Sequence, residues 1–203
     1  MKLNDITLRL ETPADYKTVE KLTFEAFKDF EAEGLPKRDL PNEHFLAYLL
    51  RNDPSFIKEL DFVAILNEEI VGNIMYSKCH IIHLNNQKEA LVFGPISVKP
   101  ELQKQGIGTL LIKHSLEHAQ KLGYKAVIIT GFPDYYHRFG FVSANTFNLT
   151  MLDGSFFDAF MALELEKGYL SKGGKWQCCQ AFDNCENNQE ALINYHKELF
   201  NLK

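Results

Sequence analysis

Gly94-Pro95-Ile96-Ser97-Val98-Lys99-Pro100-Glu101-Leu102-Gln103-Lys104-Gln105-Gly106-Ile107-Gly108-Thr109 runs from an apolar strand through a proline turn into a helix. Ala90 to Val98 (ALVFGPISV) reads as a strand. Pro95 in its middle cannot donate to a ladder, so a bulge or a break in pairing is expected at Gly94-Pro95. Behind it, Gln103 to Leu122 is predicted as a helix. Ile107, Leu111, Ile112, Ala119 and Leu122 fall on one arc, while Lys113, Glu117, Gln120 and Lys121 face water. Gly123 closes it. Lys125 to Thr130 (KAVIIT) is nearly continuous apolar sequence, the mark of a strand covered on both faces. A strand, a crossover helix and a second strand make 90–98 and 125–130 parallel neighbours.

The helix opens through Gln-x-x-Gly-x-Gly. Glycines there let backbone approach an anion closely, and the free N–H groups and macrodipole of the first turn can hold it. The plainer alternative is a glycine-containing helix start that binds nothing. Two nucleotide-binding patterns are excluded. A P-loop ends in Gly-Lys-Ser/Thr, whereas Gly108 is followed by Thr109-Leu110, and Leu111 stands where a dinucleotide fingerprint needs a small residue.

Outward from this centre, Ile6–Leu10 alternates as a first strand ahead of a Glu-Thr-Pro helix start. Ala14 to Phe30 is predicted as an amphipathic helix and Glu31 to Pro41 as a loop. A second helix from Asn42 should stop before Asp53-Pro54. Asp61–Leu66 and Ile70–Tyr76 form a hairpin. A short helical turn spans Asp134 to Phe139, and strands are expected near Thr146–Leu152 and Phe157–Leu165. The fold class is α/β (mixed α+β): a twisted mixed sheet of about seven strands flanked by helices. Residues 1–167 form the main domain, and 168–203 a C-terminal extension packed on it, with a helix over Asn188–Phe200.

The 203 residues suit one domain with an appendage and can bury about 70% of the unfolded surface, so no staple is required. A net charge of −5 argues against a nucleic-acid partner. No apolar run reaches the ~20 residues of a membrane span, and the N-terminus lacks a secretory h-region, so cytoplasm is the expected address. Cys79, Cys178, Cys179 and Cys185 lack zinc-ligand spacing and read as reduced thiols, so no metal is expected.

Two elements in the right order carry a family resemblance. Val98, Pro100, Gln103, Gly106 and Gly108 resemble the acyl-CoA-binding motif of the GNAT superfamily of N-acetyltransferases, Gln/Arg-x-x-Gly-x-Gly/Ala after a strand ending in Val-x-Pro. Downstream, Phe132 to Phe141 (FPDYYHRFGF) is similar to the family's Tyr-x-x-x-Gly-Phe element. The resemblance covers Ile6 to about Leu165. It implies a sheet splayed between strands 90–98 and 125–130. It also implies direct transfer of an acetyl group from acetyl-CoA to a primary amine, on a small molecule or a peptide, without metal. Gln103, Lys104, Gln105, Gly106, Ile107, Gly108 and Thr109 would meet the diphosphate, and Ile96, Ser97 and Val98 the pantetheine arm. Tyr136, four residues before Gly140, would protonate the leaving thiolate. At ordinary values of roughly 10 and 8.5, phenol and thiol would make that transfer nearly balanced. Tyr135 is out of register with the motif.

The base is not legible. Glu31, Glu33, Glu43, His80 and His83 are candidates beside a water-mediated route. A non-catalytic acyl-CoA-binding regulatory module is the alternative function, and exposed edge strands leave a homodimer open.

Overall fold

The computed structural model describes residues 3–29 and 40–202. Its elements run β1 (Thr7–Leu10), α1 (Tyr16–Phe27), α2 (Glu43–Arg51), β2 (Phe62–Leu66), β3 (Glu69–His83), β4 (Asn86–Val98), α3 (Ile107–Lys121), β5 (Ala126–Thr130), α4 (Pro133–Tyr136), β6 (Val142–Ser143), β7 (Leu149–Thr150), β8 (Phe160–Glu164), β9 (Gly174–Gln177), α5 (Gln180–Asn187) and α6 (Gln189–Phe200). The sheet order is β1-β2-β3-β4-β5-β8-β6, with β9 beside β3 and β7 on β9. The mixed α/β architecture is the one expected.

Alternation along β3 sorts the helices onto two faces. Ile74 and Tyr76 join Leu111 and Ile112 of α3 in one core cluster, while Met75 between them packs with Phe45 and Leu50 of α2 and Leu192 and Leu199 of α6. At the last residue of α2, Arg51 is buried against two carboxylates. Its Nη2 meets Glu11 Oε1 at 2.7 Å, and its Nη1 meets Glu20 Oε1 at 2.7 Å.

The sheet opens in its middle. β3 pairs Ile74 with Ile96 but Tyr76 with Phe93, so Gly94-Pro95 on β4 stands opposite Met75 alone. This is the expected bulge. On its other side β4 meets β5 in a single parallel register pair, Leu91 with Val127. Beyond that pair the two strands diverge.

Several boundaries differ from expectation for identifiable reasons. The β3–β4 hairpin continues to His83 and Asn86, well past Tyr76, because Cys79 and Ile81 keep facing inward while Lys78 and His80 are part-exposed. The long helix starts at Ile107 rather than Gln103, since Lys104 (φ 59) and Gly106 (φ 96) lie in the left-handed region. The strand expected near Thr146–Leu152 shrinks to Leu149–Thr150, and β6 was not foreseen. In the tail, α6 appears where expected, capped by the Asn188 side chain accepting from Ala191 N at 3.1 Å. Two unforeseen elements precede it. β9 pairs antiparallel with β3, His80 with Gln177 and Ile81 with Trp176. Trp176 is buried 5.4 Å from the Phe160 ring. α5 is anchored where Ala181 N donates to Asp53 Oδ2 at 3.1 Å.

Candidate active site

A cavity of about 570 Å³ opens between the end of α1, the last residues of β4 and the start of α3. Ile96, Ser97, Val98, Gln103, Lys104, Gly106, Ile107, Gly108 and Thr109 all line it. Gln105 does not; its carboxamide turns outward and donates to the Glu101 carbonyl at 3.1 Å.

The loop into α3 is shaped by its own bonds. Gln103 Nε2 donates back to the Val98 carbonyl at 3.2 Å, tying the loop to the strand end. Gly106 then adopts φ 96, a conformation costly for any residue with a Cβ. Intrahelical bonding begins with Leu110 N donating to Gly106 O at 3.0 Å. The amides of Ile107, Gly108 and Thr109 precede it and have no acceptor within the helix. A Cβ on Gly108 would stand 2.8 Å from Tyr135 Oη, so only glycine leaves that gap clear. Together these amides form an anion cradle at the cavity wall.

Ser97 presents its backbone to the cavity but not its hydroxyl. The Oγ donates to Thr23 Oγ1 of α1 at 3.1 Å, and Thr23 is 3.4 Å from Asn73 Oδ1, all three side chains being buried.

α4 places its two tyrosines differently. Tyr135 lines the cavity with Arg138, whose guanidinium lies 4.7 Å from the Tyr135 ring centroid. Tyr136 turns inward, 9% exposed, with its ring against Gly131 and with Phe93 and Phe141 at 5.8 and 5.9 Å. Gly131 follows the end of β5 and Phe93 precedes the β4 bulge. The Tyr136 ring therefore spans the point where the two strands part. Burial, reinforced by Tyr135, pushes its phenol well above the ordinary range. Burial therefore holds Tyr136 in its protonated form.

The sequence motif did not single out Arg138, nor Ala26, Phe27 and Leu102, which also line the cavity. Arg138 had a usable signal, being the one cation in the segment around Tyr136. The base candidates are scattered. Asn73 is the register partner of Ser97, and His80 lies seven residues further along β3, about 20 Å at strand rise, with His83 farther still. Glu43 heads α2. Glu31 and Glu33 lie outside the described residues. Among the described residues no carboxylate or imidazole lines the cavity, and no three His, Cys, Asp or Glu are grouped to hold a metal ion. Nor is any described helix long and apolar enough to cross a membrane.

Known proteins resemble this chain in sequence and in fold. The N-acetyltransferase YjhQ of Escherichia coli K12, itself uncharacterised, is 26% identical over 141 residues, covering 70% of this chain and 72% of its own. YhbS of the same organism, another uncharacterised N-acetyltransferase, is 26% identical over 135 residues, 66% of this chain and 72% of its own. The crystal structure of YhbS with CoA superposes with a TM-score of 0.75 at 23% identity, covering 88% of this chain and 92% of that one. A GNAT family acetyltransferase from Brucella melitensis, in complex with acetyl-CoA, gives 0.68 at 24% identity over 88% and 98% of the two chains. These structures share the fold. The sequence profile of the Acetyltransferase (GNAT) family matches residues 18–141, more than half of the chain, spanning both the glycine-opened helix and the Tyr136–Phe141 element. The chain belongs to the GNAT family of acetyltransferases.

Proposed function

We propose that the protein moves an acetyl group from acetyl-CoA directly to a primary amine within a ternary complex, in a cytoplasmic setting compatible with four cysteines that form no disulfide. One observation carries this reading: the anion cradle at the start of α3 opens into the same cavity as the diverging end of β4. The cradle amides and Arg138 would hold the diphosphate of the cosubstrate. The edge of β4 released at the bulge would take the pantetheine amides as an added strand.

In the transfer, the amine nitrogen uses its lone pair to form the new C–N bond, and the oxyanion is met by a backbone N–H near Ile96–Val98. The C–S bond then breaks as Tyr136 passes its proton to the departing sulfur, and the proton shed by the newly acylated nitrogen returns through water to the Tyr136 phenolate. A protonated amine has no lone pair, so its proton must leave first. With no carboxylate or imidazole among the described lining residues, water is the acceptor. The rate is accordingly expected to rise with pH toward the amine's pKa of about 10. A plateau near neutrality, removed by Glu31→Gln or Glu33→Gln, would replace water with a carboxylate.

The test is release of free CoA thiol from acetyl-CoA across a panel of amines. Turnover with any of them supports the enzyme. CoA binding without turnover on the whole panel would return the chain to a binding module.

A further inference from the structure

Beyond the cosubstrate cavity, exposed aromatic surface is concentrated where β5 and β8 meet. Phe132 is 49% exposed, Phe157 41% and Phe156 37%. Single exposed aromatics are ordinary, but these three sit on two loops that are bonded together. Gly131 N donates to Ala159 O at 2.8 Å, Phe160 N to Phe157 O at 2.9 Å, and Thr130 pairs with Phe160. Gly131 is also the residue on which the Tyr136 ring rests. The phenylalanines thus begin one residue from the glycine on which that ring rests, on the β5 side of the opening. On the opposite bank, Phe182 of α5 reaches to 4.0 Å from the Cβ position of Gly94. Asp158 follows Phe157 directly and is exposed.

On the acetyl-transfer reading above, the geometry points to an acceptor class. We propose that this rim selects a primary amine bearing an apolar, best of all aromatic, body. The argument is one of complementarity. A free amine arrives as a cation, which Asp158 would attract, and with its nitrogen at the opening beside Tyr136 its body would lie against Phe132, Phe156 and Phe157. An aromatic body gains by covering those rings. A polyamine or amino alcohol has little apolar area to bury there and gains little.

The experiment compares 2-phenylethylamine with ethanolamine and spermidine, read both as acetyl-CoA turnover and as calorimetric binding to the CoA-loaded protein. Phenylethylamine is expected to bind at least tenfold more tightly than ethanolamine. Phe157→Ser and Phe132→Ser should each weaken it about tenfold, with ethanolamine and CoA affinity unchanged. Equal or tighter binding of ethanolamine or spermidine, or indifference of phenylethylamine to both substitutions, overturns the proposal. So does a serine variant that dissolves a dimer while leaving amine binding intact, which would assign the patch to a second copy of the chain. Preferential, Phe157-dependent binding without turnover would support the rim while sinking the acetyl-transfer reading. The two can therefore fail separately.

Discussion

At the scale of single residues, the proposed function sets Tyr136 at the reacting atoms, while Tyr135 lines the cosubstrate cavity. Tyr136→Phe removes one hydroxyl from a ring whose packing against Phe93 and Phe141 stays intact. We expect kcat to fall by no more than about 10²–10⁴-fold, since a thiolate leaves tolerably well unaided, with CoA affinity unchanged by calorimetry. His44 makes a different prediction. Its Nε2 lies 3.3 Å from His196 Nδ1 within a box that includes the Phe24 ring, and burial, with His196 beside it, lowers its pKa to about 4. The folded state therefore resists a proton that the unfolded chain accepts below about 6.5. The stabilisation is complete above 6.5 and drains away as pH falls toward 4, by about 3 kcal/mol in all. Thermal midpoints measured across that window should drop in the native protein, and His44→Asn should flatten the slope.

At the scale of elements, the start of α3 is the most demanding piece of backbone. Gly106→Val places a branched side chain at φ 96 and against the Leu3 side chain, so CoA binding should be lost while far-UV circular dichroism is preserved. Unchanged affinity would detach the diphosphate from this turn. The same element shows what a sequence can and cannot disclose. Its apolar arc and Gly-x-Gly spacing are local, so the helix, the cradle and the βαβ crossover were readable. That the Gln105 side chain turns away from the cavity was not readable, because motif membership says nothing about which way a carboxamide turns. The full length of the β3–β4 hairpin was hidden because its turn contains Leu84 at φ 53, with no glycine to announce it. β9 was invisible for a longer-range reason. Its partner His80–Ile82 lies some ninety residues earlier, and Gly174, which reads as a breaker, is what lets the backbones meet: a Cβ there would stand 2.6 Å from Ile82 O. Arg138 entered the site only once the turn that follows α4, His137–Phe139, was seen to bring it to the cavity.

At the scale of the molecule, residues 168–202 are woven into the sheet and the α2 face together. A chain ending at residue 167 would uncover the β3 edge and the apolar surface that Leu192, Tyr195 and Leu199 bury. We expect it to be recovered mainly as aggregate, checked by sedimentation of the expressed chain. Trp176, part of that weave, is the single tryptophan in the sequence. Its indole is enclosed beside Phe160, the first residue of β8 after the loop that carries Phe156 and Phe157. The molecule thus has one indole fluorophore, excitable at wavelengths its tyrosines do not absorb, and its emission wavelength reports without a label whether the tail is seated. A red shift on acidification that coincides with the loss of thermal stability would mean that the outer strand detaches as part of the same cooperative event.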